Sequence, residues 1–205
     1  MHSKAISINK KRAIFLDLQG TLGGNGFDDI TTFVFYPFSF SAIKYINKFG
    51  YRIIIVTNQS HISKGIISEL QYDEYKNKLL HEASDAGAHI DAFYCCPHSQ
   101  TDNCNCRKPK PGLFKKAETE FEIILEESYV VGDSGVSDMK AAKSIGAKAI
   151  LVLSGIGRGS IGEYRSTWSD IEPNYIAENV LEAAKWIIED GNRKNESTDS
   201  GRIQT

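Results

Sequence analysis

Apolar and polar positions along this chain fall into blocks that switch between a strand-like and a helix-like rhythm. Ala13–Leu18 (AIFLDL) and Tyr51–Val56 (YRIIIV) are short apolar runs, the second rich in β-branched residues, which predicts buried strands. Tyr129–Val131 and Ala149–Leu153 predict a third and a fourth, and Ile90–Tyr94 a further short one. Between them the spacing turns helical. Phe40–Phe49 sets Ile43, Tyr45 and Ile46 on one side, with Gly50 just after its end. Ser68–Ala86 opens on Ser68-Glu69-Leu70-Gln71, a capping box, and brings Leu70, Tyr75, Leu79 and Ala83 close to one face. Pro111–Glu120 starts with proline at a favoured first-turn position, and Ser137–Ile145 stops at Gly146. Ile176–Ile188 repeats Ile176, Val180, Ala184 and Ile188 at spacing four, as a helix would. This alternation predicts an α/β fold of three layers, a mostly parallel sheet with helices on both faces. Such sheets bind ligands at the carboxyl ends of their strands.

Composition narrows the classes. Lys and Arg number 24 against 26 Asp and Glu among 205 residues, and no basic block stands out, which argues against a nucleic-acid partner. The longest apolar runs fall far short of the ~20 residues of a membrane span. The basic N-terminus has its apolar stretch broken by Asp17 and Gln19, so it is not read as a secretory leader, and a cytoplasmic location is expected. Residues 1–11 read as a loose leader, 12–190 as one domain, and the polar stretch 191–205 as a disordered tail. Three of the four cysteines crowd with a histidine into residues 96–106, which suggests a metal before disulfides.

Polar clusters stand where the strands end. Asp17-Leu18-Gln19-Gly20-Thr21 follows the first, Thr57-Asn58-Gln59-Ser60 the second, and Gly132-Asp133-Ser134, with Asp138 soon after, the third. Arg107-Lys108 precedes the helix beginning at Pro111. One such cluster alone is an ordinary turn. Four in this order resemble the haloacid dehalogenase (HAD) superfamily of aspartate-nucleophile phosphotransferases. The chain is similar in particular to its histidinol-phosphate and heptose bisphosphate phosphatases. The likeness spans about Ala13 to Ile188. Its most specific part is Cys96-Pro97-His98 followed by Cys104-Asn105-Cys106-Arg107-Lys108-Pro109-Lys110-Pro111-Gly112, similar to the zinc loop of those phosphatases.

The resemblance implies a Rossmann-like HAD fold with a small zinc-binding loop and no large cap domain. It implies Asp17 as nucleophile, with catalytic Mg²⁺ held by Asp17, the main-chain carbonyl of Gln19 and Asp133, and with Asp138 behind through metal-bound water. A carboxylate attacking phosphorus meets like charge, so positive charge must be supplied. Lys108 would neutralise phosphoryl oxygens, and Thr57 and Asn58 would donate hydrogen bonds to them. Arg107, Gln59 and Ser134 complete the expected substrate-binding set.

One position departs from the pattern. Where active phosphatases of the superfamily carry a second aspartate as general acid and base, this chain has Gln19, which hydrogen-bonds but exchanges no proton. General acid–base catalysis is worth about 10²–10⁴-fold, so turnover is expected to be slowed. Three readings stay open: a slow Mg²⁺-dependent phosphatase; a non-catalytic binder of phosphate ligands; a phosphotransferase or hydrolase for leaving groups that need no acid. His61 and Asp28 are the nearest substitutes for the missing acid in the sequence.

Cys96, His98, Cys104 and Cys106 make a Cys₃His set suited to structural Zn²⁺, which would stiffen the segment presenting Arg107 and Lys108. Cys95 is a rival ligand. Gly23–Pro37 is expected over the pocket. It matches no trusted heptose-contacting pattern, and Ser134 stands where those enzymes tend to carry a basic residue. The expected substrate is therefore a small phosphorylated metabolite, such as a sugar, polyol or amino-alcohol phosphate, and heptose bisphosphate itself is not carried over.

Overall fold

The computed structural model describes residues 11–26 and 28–200. Six strands, β1 (Ala13–Leu16), β2 (Arg52–Asn58), β3 (Ala92–Cys96), β4 (Tyr129–Gly132), β5 (Lys148–Val152) and β6 (Tyr175–Ala177), form one sheet in the order β3-β2-β1-β4-β5-β6. Every pairing is parallel. The helices are α1 (Ser39–Asn47), α2 (Glu69–Asp85), α3 (Gly112–Phe121), α4 (Lys140–Ser144), α5 (Gly157–Ile161) and α6 (Val180–Ser200).

Strand side chains alternate between two cores, as a pleated backbone requires. Ile14, Leu16, Ile53, Ile55, Tyr129 and Val131 face α1, α2 and α6. Ala13, Phe15, Ile54, Val56 and Val130 face α3 and α4. The sheet is thus covered on both sides, and the three-layer α/β fold expected from the sequence is present. From β1 the chain builds outward to one side, and from β4 to the other. The junction of β1 and β4 is the switch point at which doubly wound sheets open a crevice.

The structure also corrects the sequence reading. Ile176 lies in edge strand β6 and is 43% exposed; the spacing-four pattern holds only from Val180 onward. The physical reason is a cap. Asn179 Oδ1 accepts from Leu181 N (3.0 Å) and Glu182 N (3.1 Å), which starts α6 after that point. On α2 the Ser68–Gln71 capping box is present, but Leu70 is 70% exposed and Tyr72 takes its place in the core. The expected helix 137–145 is divided into a π-helical turn (Gly135–Met139) and α4. Helix α6 runs through Ser200, where a disordered tail from 191 was expected. A helix already anchored by Val180, Ala183, Ala184, Ile187 and Ile188 propagates through polar residues at low cost. The leader 1–10 and residues 201–205 lie outside the described residues. Among the described residues, no helix is long and apolar enough to cross a membrane.

Candidate active site

Strand β1 ends one residue before Asp17, whose backbone N–H donates to the Val131 carbonyl of β4 at 2.9 Å. Strand β4 ends one residue before Asp133, and the π-helical turn that follows turns Asp138 back to the same point. The three carboxylates converge to within 4.8 Å of one another. Lys108, only 4% exposed, reaches them from the segment before α3. Its Nζ lies 2.7 Å from Asp17 Oδ1 and 2.7 Å from Asp138 Oδ1. Asp133 Oδ2 accepts from Ile156 N (2.8 Å), and Asp138 Oδ2 from Ser134 N (3.1 Å). Gly20 has φ +81°, and any side chain there would collide with the Asp133 carboxylate, so the turn after the Asp17 motif requires glycine.

The charges do not balance. Burial, offset only in part by Lys108, pushes the Asp17 carboxyl up to about 6. Burial and then the charges of Asp17 and Asp138 raise Asp133 well above its ordinary 3.8. Burial alone would favour neutral Lys108, but Asp138 and Asp17 outweigh it and hold the ammonium charged. Three carboxylates against one ammonium is a donor set that fits a hard divalent cation with oxygen ligands.

At the end of β2, Thr57 is buried and Asn58 is turned to a different task from the one expected. Asn58 Nδ2 donates to the Lys108 carbonyl (3.1 Å), and Asn58 Oδ1 accepts from Lys108 N (3.0 Å). Its amide fixes the lysine backbone, and the residue also lines the cleft. Gln59 is 1% exposed and does not line the cleft, unlike the substrate contact expected from sequence. Its Nε2 donates to Gln19 Oε1 (3.0 Å) and to Thr57 Oγ1 (3.0 Å). Gln19 Nε2 donates in turn to the Asp28 carbonyl.

Cys96, His98, Cys104 and Cys106 gather with ligand atoms 3.2 to 3.6 Å apart along the recorded edges. A tetrahedron with Zn–S of about 2.3 Å and Zn–N of about 2.0–2.1 Å has edges only slightly longer. Cys95 is excluded by the pleat: it packs on the α2 side of β3, while Cys96 faces the opposite core. The loop is tied to the basic segment. Arg107 Nη1 donates to the His98 carbonyl (3.0 Å), and Lys110 Nζ to the Cys104 carbonyl (2.7 Å).

A cleft of about 500 Å³ joins these parts. Asp17, Gln19, Thr57, Asn58, Arg107, Lys108, Asp133 and Ser134 all line it. Of the described part of Gly23–Pro37 only Gly26 does, because Phe33 and Phe35 turn into the core. His61 and Asp28 do not line it. The sequence reading missed Lys110, Asn103, Ser137 and Ile156 as lining residues. Lys110 carries a signal in the Lys-Pro-Lys-Pro run; Ile156, acting through its backbone, carries none.

Comparison with known proteins agrees with this geometry. A family model described as HAD-hydrolase-like matches residues 105–183. The D-glycero-beta-D-manno-heptose-1,7-bisphosphate 7-phosphatase of Pasteurella multocida is 34% identical over 186 residues, which cover 86% of this chain and 97% of that protein. A probable phosphatase of the same description from Thermoplasma volcanium is 34% identical over 136 residues, covering 65% of this chain and 93% of its own length. The crystal structure of D,D-heptose 1,7-bisphosphate phosphatase from B. bronchiseptica, complexed with magnesium and phosphate, shares the fold with a TM-score of 0.79. It is 24% identical, and the match covers 87% of this chain and 99% of that one. With a doubly wound sheet, a site at its switch point and such relatives along nearly its whole length, this chain belongs to the HAD superfamily of phosphate-ester hydrolases, on the branch of the heptose bisphosphate phosphatases.

Proposed function

We propose that this chain is a Mg²⁺-dependent phosphatase that uses Asp17 as nucleophile on a small phosphorylated metabolite such as a sugar phosphate, and that Gln19 makes it slow with such esters. The convergence of Asp17, Asp133 and Asp138 at the switch point, with one buried lysine paired to Asp17 and Asp138, carries this reading. Asp17, Asp133 and the main-chain carbonyl of Gln19 would hold the cation, with Asp138 behind them. Bound there, Mg²⁺ supplies positive charge that lets an anionic carboxylate approach an anionic phosphoryl group. Lys108 neutralises phosphoryl oxygens from the other side, and the Asn58 amide keeps its backbone in place. Thr57 offers a hydroxyl to the same oxygens. Arg107 and Ser134 meet the rest of the substrate at the cleft wall.

In the same reading, Cys96, His98, Cys104 and Cys106 hold a structural Zn²⁺ that stiffens the Arg107–Lys108 segment. Free thiols of this kind suit a reducing compartment such as the cytoplasm.

The identity of Gln19 favours a second reading, a phosphate-ligand binder without turnover. Phosphate release from an aryl phosphate, with and without Mg²⁺, separates the two. Mg²⁺-dependent release that Asp17→Asn abolishes supports the phosphatase. No release from the wild type, with retained phosphate binding, supports the binder.

A further inference from the structure

The Gln19 side chain is oriented as well as placed. The main-chain carbonyl of Asp28 can only accept a hydrogen bond, so the amide atom facing it is Nε2. Oε1 then lies on the other side, where it accepts from Gln59 Nε2. Flipping the amide would set carbonyl against carbonyl at Asp28 and N–H against N–H at Gln59. The Asp28 carbonyl, which accepts only, therefore fixes the orientation of Gln19, and the enclosed Gln59 lies on its accepting side. The accepting atom of Gln19 is thus engaged inside the protein. Its second N–H is the hydrogen it retains for a ligand in the cleft it lines.

Among the described residues lining the cleft, none takes over the missing proton transfer. Asp17, Asp133 and Lys108 are bound into the charged cluster, and Cys104 belongs to the Cys/His group. Arg107 is tied to the His98 carbonyl, and Lys110 to Asn103 and the Cys104 carbonyl.

We propose that this site takes phosphoryl groups from acyl phosphates, whose leaving group departs as a stable carboxylate, with Gln19 donating a hydrogen bond to the departing oxygen in place of a proton. This rests on the reading of Asp17 as nucleophile. An Asp17 oxygen forms the new bond to phosphorus while the bond to the leaving oxygen breaks. The electron pair stays on that oxygen, and no proton is required. Water then attacks phosphorus, and the Asp17–phosphorus bond breaks with its electrons returning to the carboxylate. One proton of the water stays on the released phosphate and the other passes to solvent. Gln19 has no group that can take up that proton, because an amide is not a base near neutrality, so the second step is the slower one. Alkyl esters, sugar phosphates included, are then poor substrates.

The test compares kcat/KM for acetyl phosphate, para-nitrophenyl phosphate, phenyl phosphate and glycerol phosphate in the wild type and in Gln19→Asp, with Mg²⁺ present. The wild type is expected to prefer acetyl phosphate over glycerol phosphate by about 10²–10⁴-fold more than the variant does, the range a general acid contributes. Equal preference in the two proteins, or wild-type turnover that ignores the leaving group, overturns the proposal while leaving the nucleophile reading intact. Release that survives Asp17→Asn, or no release from any of the four compounds, overturns both. The wild-type leaving-group series stands without any variant, so a poorly folding Gln19→Asp does not remove the test.

Discussion

Two groups of side chains with the donor atoms to hold a metal ion flank one cleft, and they are built in opposite ways. The Cys/His group draws all its ligands from residues 96–106, offers sulfur and imidazole, and closes on itself. The carboxylate group gathers positions 17, 133 and 138 from the ends of two neighbouring strands and the turn after one of them, offers oxygen, and opens to the cleft. A closed soft site suits the holding of shape; an open hard site suits chemistry. Arg107 and Lys108 form the junction between them. Arg107 is tied back to His98, and Lys108 is driven forward onto Asp17 and Asp138.

The sharpest way to break this division is to remove charge from the open site. Asp17→Asn is expected to lower phosphate release to background, and Lys108→Met to lower kcat by about 10²–10³-fold or more. Asp17→Asn should keep the fold, as checked by circular dichroism, because it relieves like-charge crowding, whereas Lys108→Met leaves the buried Asp138 without its partner and should also lower Tm. Next is the closed site. Cys104→Ser, or extraction of zinc by a strong chelator, is expected to lower Tm by about 5–10 °C, at about 2–4 °C per kcal/mol for a chain of this size. Removing Mg²⁺ instead should stop turnover with a much smaller change in Tm. If the two removals exchange effects, the division of labour is wrong.

Asn58→Ala tests the junction. It deletes two hydrogen bonds to the Lys108 backbone, about 1–3 kcal/mol at about 0.5–1.5 each. It should lower kcat by about tenfold with little change in KM, because the lysine is displaced and the substrate contacts remain. The smallest effect is on pH dependence. Burial lifts the Asp17 carboxyl from 3.8 to about 6, so the folded chain holds this proton more tightly than the unfolded chain does. Without Mg²⁺, stability is therefore expected to fall as pH rises from 3.8 through about 6, with Asp133, raised in the same direction, adding to the fall. Mg²⁺ competes with the proton, so its stabilising effect on Tm should be larger above about 6 than below it. Thermal melts with and without Mg²⁺ across that range measure it.

Much of this was legible in the residues alone. Strand and helix rhythms predicted a parallel sheet, and the spacing of Cys96, His98, Cys104 and Cys106 predicted a metal group, since such ligands need only a short loop to meet. The Asp17 motif, Lys108 and Asp133 were legible as strand-end chemistry. The length of a helix was less so: the pattern from Ile176 to Ile188 ran through a strand and a cap, because three residues of edge strand can share a spacing with the helix that follows. The roles of amides were least legible. Asn58 and Gln59 have the composition of phosphate donors, yet one holds a backbone and the other holds Gln19.

By itself, then, the sequence determined which chemical groups this protein has and which it lacks: three carboxylates, a lysine, four soft ligands, and an amide where an acid was expected. Only the tertiary structure decided where each hydrogen bond points. An amide offers a donor and an acceptor at almost the same place. Which of the two a ligand meets depends on Asp28, returned by the loop after β1, and on Gln59, brought alongside by the parallel pairing of β1 and β2.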